Sequence, residues 1–165
     1  MKIGLPAGMQ SVIFNISNVL IQSSINSFGA VAVAGNTAAA NVEGFVYISM
    51  NSLYQTTLSF TSQNLGAKQY RRVDGILVRC MILVILIGVV LGQGAYRLGD
   101  PLLHIYSQDP EVIAYGIQRF SVVSVTYFLC GMMDVGSGVV RGLGYSIMPM
   151  LVSMAVSYTH LRAHE

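Results

Sequence analysis

The chain has 165 residues, 53% of them apolar and only 10% charged, with a mean hydropathy of +0.61 and a net charge of +2. A soluble domain carries about 25% charged residues. Too few charges are present to solvate a globule of this size, so lipid is the solvent that fits most of these side chains. The small net charge gives no reason to expect a nucleic-acid partner.

Spanning a bilayer takes about 20 mainly apolar residues. Four stretches qualify in chain order: about 5–28, 33–64 (long enough to protrude), 76–98 (the most apolar) and 112–140. A fifth begins at 147 and stops reading as a span after about 155. The expected fold is therefore all-α: a polytopic transmembrane bundle of four complete spans and a truncated fifth. The links are short, as antiparallel neighbours require. Gly29-Ala30 breaks the first pair, and QNLGAKQYRRVD forms the second link. The third contains Asp100-Pro101 and Asp109-Pro110, turn signals flanking a short amphipathic piece. Arg141-Gly142-Leu143-Gly144 forms the fourth.

The start MKIGLPAGMQ does not read as a signal peptide: the stretch after Lys2 is too long and polar and has no small-residue cleavage pattern. Cys80 and Cys130 each lie inside an apolar run, with no CxxC pair or Cys/His cluster, and read as small buried hydrophobes. No metal site is expected.

Charge orients the bundle. Lys2, Lys68, Arg71, Arg72, Arg79 and Arg141 fall on one side by alternation. The other side carries Arg97 and Arg119 but also Asp100, Asp109 and Glu111. The positive-inside rule makes the Lys68/Arg71/Arg72 link cytoplasmic, in a plasma-membrane protein of several passes.

The last ten residues, VSYTHLRAHE, bring two histidines, Arg162 and Glu165 where a span needs apolar side chains. One reading is an intramembrane proton relay through His160 and His164, at i, i+4. The favoured reading is a non-native tail over 156–165, because the decapeptide matches the in-frame translation of a sequencing-library adapter.

The first span is unusually polar. Gln10, Asn18, Gln22 and Asn26 recur near a helical period, as do Ser11, Asn15 and Ser23. Unpaired amides are costly in lipid, so these groups serve either as interhelical hydrogen bonds or as the lining of a wet cavity. Only Glu43 and Asp134 are acidic residues within spans, and an intramembrane carboxylate is a functional candidate by default. Glu43, Tyr47 and Asn51 fall at i, i+4, i+8 on one helical face. Such a face can hold an organic cation by charge, cation–π contact and amide oxygens. A structural salt bridge competes, but no basic residue is expected at the depth of Glu43, so cavity lining is favoured. Asp134, seven residues before Arg141, is a candidate for ion coupling or a partner for Arg141. There is no GxSxG, HExxH or P-loop, so no catalytic residue and no enzyme activity are expected.

Several segments resemble the multidrug and toxic compound extrusion (MATE) transporters: IGLPAGMQSVIF, SQNLGAKQY, LLHIYSQDPEVI and VVRGLGYSIMP. They occur in the family's order, on alternating sides, over essentially residues 1–155. The resemblance implies part of the second lobe of a two-lobe, twelve-helix exporter, from its seventh helix to the start of its eleventh. It implies Gln63 and Gly66, and Arg141 and Gly142, as structural motifs. It further implies outward movement of cationic or amphipathic organic compounds in exchange for Na⁺ or H⁺, by rocking of two lobes, with no cofactor. Glu43, Tyr47 and Asn51, with Gln10, Asn15 and Asn18, would face the cargo, and Asp134 the coupling ion. Expected partners are the bilayer, small organic cations and the missing first lobe. Two departures are visible. Phe14 stands eight residues after Pro6, where many relatives have a glutamate. Asp134 lies seven residues before Arg141 rather than about eleven. Alternatives are a lipid-linked sugar flippase, disfavoured because only Arg79 and Arg119 approach the spans, or a small membrane assembly subunit.

Overall fold

A computed structural model describes residues 4–152 and 155. The side chains of Pro6, Gln10 and Phe14 and the segment 156–165 lie outside the described residues, so the readings placed on them are not addressed below. The described residues form an all-helical bundle: α1 (Gly4–Asn26), α2 (Ala30–Gly66), α3 (Tyr70–Arg97), a short α4 (Gly99–His104) and α5 (Pro110–Gly142). Residues 147–152 begin a further helix. At 1.5 Å per residue the four long helices measure about 35 to 55 Å, enough to cross a hydrocarbon core of about 30 Å.

The helix ends follow from local chemistry. Gly29 takes a left-handed φ of 93°, which turns the chain between α1 and α2. α2 closes on paired reverse bonds, Gln69 N to Asn64 O at 2.8 Å and Lys68 N to Leu65 O at 3.0 Å, around Lys68 at φ 58°. α5 closes the same way around Gly144 at φ 94°, with Tyr145 N to Val140 O at 3.1 Å and Gly144 N to Arg141 O at 2.9 Å. Both are Schellman ends, in which a residue with positive φ lets the last carbonyls find donors. α5 starts on Asp109, whose Oδ1 accepts from the Glu111 amide at 2.9 Å, with Pro110 in the first turn.

α2, α3 and α5 make the core. Val42, Val46 and Met50 from α2 meet Cys80 and Val84 from α3 and Phe120, Tyr127 and Val135 from α5. α2 and α5 run in the same direction, with α3 antiparallel to both. Gly35 faces Val112 and Tyr115 at one end of the α2–α5 seam, and Gly142 faces Thr61 at the other. A Cβ on Gly35 would lie 2.5 Å from the Val112 oxygen, and one on Gly142 would lie 2.6 Å from the Thr61 Cβ. The two backbones approach as only small residues allow, the usual means of packing helices in lipid.

The outward faces are apolar rather than polar. Val78, Ile82, Leu86 and Val90 form an exposed stripe on α3, while Cys80, Val84, Gly88 and Gly92 lie buried on the opposite face. α5 exposes Val122, Val125, Leu129 and Met133. Continuous apolar exposure on this scale identifies surface meant for lipid or protein. By length and composition α3 and α5 are apolar enough to cross a membrane.

α1 and α2 are more polar, and several of their hydroxyls and amides bond within their own helices. Six Ser and Thr hydroxyls of α2 (Thr37, Ser49, Ser52, Thr56, Thr57 and Ser62) donate to the carbonyl four residues back. Bonding of this kind lets a hydroxyl-rich helix lie in an apolar medium.

Candidate functional site

Two oppositely charged side chains meet inside the bundle. Arg119 on α5 donates from Nε to Glu43 Oε1 at 2.8 Å and from Nη2 to Glu43 Oε2 at 2.6 Å. Its Nη1 donates to the Asn36 carboxamide oxygen. The fork is bidentate, the strongest arrangement of this pair. Glu43 is only 7% exposed, while the Arg119 side chain keeps 31% of its surface open. The Tyr127 hydroxyl lies within electrostatic reach of both, but outside hydrogen-bond geometry.

This pair corrects the expectation that no basic residue reaches the depth of Glu43. Glu43 lies thirteen residues into α2 and Arg119 nine into α5. Because the two helices run in parallel, the offset is four residues, about 6 Å of rise, and an arginine side chain spans that. Glu43 is therefore a paired carboxylate between helices, not an open one on a cavity wall.

Other expected site residues are dispersed. Tyr47 is 55% exposed and Asn51 is half-buried while Glu43 is buried, so burial differs along the i, i+4, i+8 face. Asn15 and Asn18 on α1 are exposed, and Asn15 Nδ2 donates to the Ser11 carbonyl at 2.9 Å. Gln22 donates to Asn26 Oδ1 at 3.2 Å. Both bonds lie within α1. Among the described residues α1 packs only on α2.

Asp134 is half-buried and within electrostatic reach of Arg141. It stands fifteen residues, about 22 Å, along α5 from Arg119 and does not join the Glu43 cluster. Arg141 donates from Nη1 to the Tyr54 hydroxyl at 2.7 Å and stands 6.0 Å from that ring's centroid. Gln63 and Gly66 are exposed at the end of α2, whereas Gly142 is buried against Thr61. Among the described residues no group of three or more His, Cys, Asp or Glu could hold a metal ion. Sequence reasoning missed Arg119 and Asn36. The available signal was a basic residue a few turns into one span and an acid at similar depth in another of the same direction.

Long helices with apolar outer faces and a charged pair held between them define a polytopic helical membrane protein. The chain belongs to the MatE family, whose model matches residues 6–162. It is 24% identical to the "Probable multidrug resistance protein NorM" of Thermotoga maritima, over 96% of this chain and 34% of that protein. It is 26% identical to the "Probable multidrug resistance protein YpnP" of Bacillus subtilis, over 98% of this chain and 36% of that protein. A solved MOP superfamily transporter from Pyrococcus furiosus shares the fold, with a TM-score of 0.88 over 94% of this chain and 34% of that one, at 20% identity. The chain spans about a third of the length of the curated relatives it matches.

Proposed function

We propose that this chain is part of a secondary active antiporter that exports cationic or amphipathic organic compounds in exchange for Na⁺ or H⁺. The observation that carries the reading is family membership over nearly the whole chain, joined to a charged pair maintained inside apolar helices. An intramembrane ion pair is expensive to desolvate, and membrane proteins keep such groups mainly along transport pathways. The relatives named above carry the name "Probable multidrug resistance protein".

In this reading the remainder of the transporter supplies a first lobe, and Asn15 and Asn18 of α1 with Tyr47 and Asn51 of α2 turn toward it. Glu43 meets cargo only if Arg119 releases it, and Asp134 is the candidate for ion coupling. The protein lies in the plasma membrane with the Lys68/Arg71/Arg72 link in the cytoplasm.

The test is efflux of a fluorescent organic cation from cells carrying the intact transporter. Efflux above empty-vector cells that stops when either the sodium or the proton gradient is collapsed supports the reading and names the ion. Efflux no faster than in empty-vector cells would remove it.

A further inference from the structure

An open groove of about 300 Å³ lies between the end of α1, the start of α2 and the first third of α5. Ile25, Phe28, Tyr115 and Val122 form apolar walls, and Arg119, Asn36 and the Gln118 carboxamide supply polar groups. Glu43 does not line it. The carboxylate is buried behind the guanidinium, so the groove meets the cationic member of the pair.

At the Arg119–Asn36 end the hydrogen-bond inventory is one-sided. A guanidinium has five N–H donors. Glu43 takes two and Asn36 takes one, so two N–H groups of Arg119 have no partner among the described residues. The carboxamide oxygen of Asn36 is occupied by Arg119, which leaves its NH₂ to donate. Unused donors therefore converge beside apolar walls, and a ligand that matches them carries acceptors at one end and an apolar body at the other. Glu43 fixes the plane of the guanidinium in advance, so little side-chain freedom is lost when a ligand docks.

We propose that this groove binds an amphipathic organic anion, with a carboxylate on the free N–H groups of Arg119 and the amide of Asn36 and an apolar body against Phe28, Tyr115 and Val122. This goes beyond the transport reading above, which expects a cationic or amphipathic cargo, because the unused N–H donors at this groove match the acceptors of an anionic headgroup.

The test compares three fluorescent probes on the purified intact transporter, corrected for empty micelles: pyrenebutanoate, its methyl ester and a pyrenebutyl trimethylammonium salt. The carboxylate is expected to bind about tenfold or more tightly than the ester, since one charge-assisted fork is at stake, and the ammonium salt weakest. The paired variant Arg119→Gln/Glu43→Gln, which removes both charges together, should bind acid and ester alike. Val122→Trp fills the groove without touching the ion pair and should abolish binding of the acid, which keeps the proposal testable even where the paired variant fails to fold. Equal binding of acid and ester by the native protein, tighter binding of the ammonium salt, or an acid preference that survives either variant would overturn it. Loss of cation efflux with the acid preference intact counts against the transport reading alone. Efflux without any acid preference counts against this inference alone.

Discussion

Arg119 grips both carboxylate oxygens of Glu43, across 76 residues of sequence and between two helices that run the same way. The pair joins α2 to α5 near the end where Gly35 lets the backbones meet. Removing Arg119 leaves Glu43 buried and uncompensated, and removing Glu43 leaves a partly buried guanidinium with Asn36 alone. Glu43→Gln or Arg119→Gln should each destabilise the bundle by about 3–5 kcal/mol, and the double variant should recover most of that loss. Thermal unfolding of the four proteins in detergent measures the coupling. Additive losses would show that the two side chains act independently.

At the other end of the same seam, Tyr54→Phe deletes the acceptor of the Arg141 bond and keeps the ring. A hydrogen bond to a charged group contributes about 1.5–3 kcal/mol, so a loss of that order is expected. SDS titration of unfolding reads it, and a midpoint equal to that of the native chain would mean that Arg141 does not need Tyr54.

Gly35→Ala places a Cβ 2.5 Å from the Val112 oxygen and 2.7 Å from the Tyr115 Cβ. Backbone cannot yield cheaply, and overpacking costs about 1–3 kcal/mol. Gly66→Ala is the control, because its added methyl meets nothing within 4 Å. The expected outcome is a lowered melting temperature for the first variant and little change for the second.

Lys68 holds a left-handed conformation that glycine adopts without penalty. Lys68→Gly should stabilise the α2 end by about 1 kcal/mol, less whatever the lysine charge contributes. A fall in melting temperature would argue that the side chain, not the backbone, matters at this position.

Cys130 is exposed and Cys80 is buried. A small thiol reagent applied in mild detergent should modify Cys130 first and reach Cys80 only on unfolding, with mass spectrometry reporting the order. Equal rates at the two sites would contradict the placement of Cys80 in the core.

The helices were legible because the long apolar stretches are bounded by chemistry that starts or stops a helix: Gly29 between the first two, Asp109-Pro110 at the start of α5, and the Arg141–Gly144 turn at its end. Helix type and length need only local information. The Glu43–Arg119 pair was not legible, since hydropathy gives depth but not the face a residue presents to a distant helix. Arg119 was grouped with the charges of the neighbouring link, and its reach toward α2 becomes visible only when α2 and α5 are seen to run in parallel. The polar residues of α1 were weighed as partners for other helices or for water; that Asn15 and Gln22 also close bonds within their own helix is a local alternative which composition and period do not reveal.

The parallel pair has a mechanical consequence. α2 and α5 are riveted twice, by Glu43–Arg119 near one end and by Tyr54–Arg141 near the other, with glycine-close contact at both ends of the seam. Twisting or sliding one against the other would strain both rivets at once, so the two behave as a single beam with α3 as its brace. α1 joins that beam through the bend at Gly29 and a short stretch of α2 surface. Among the described residues it therefore adds little to the stiffness of that beam.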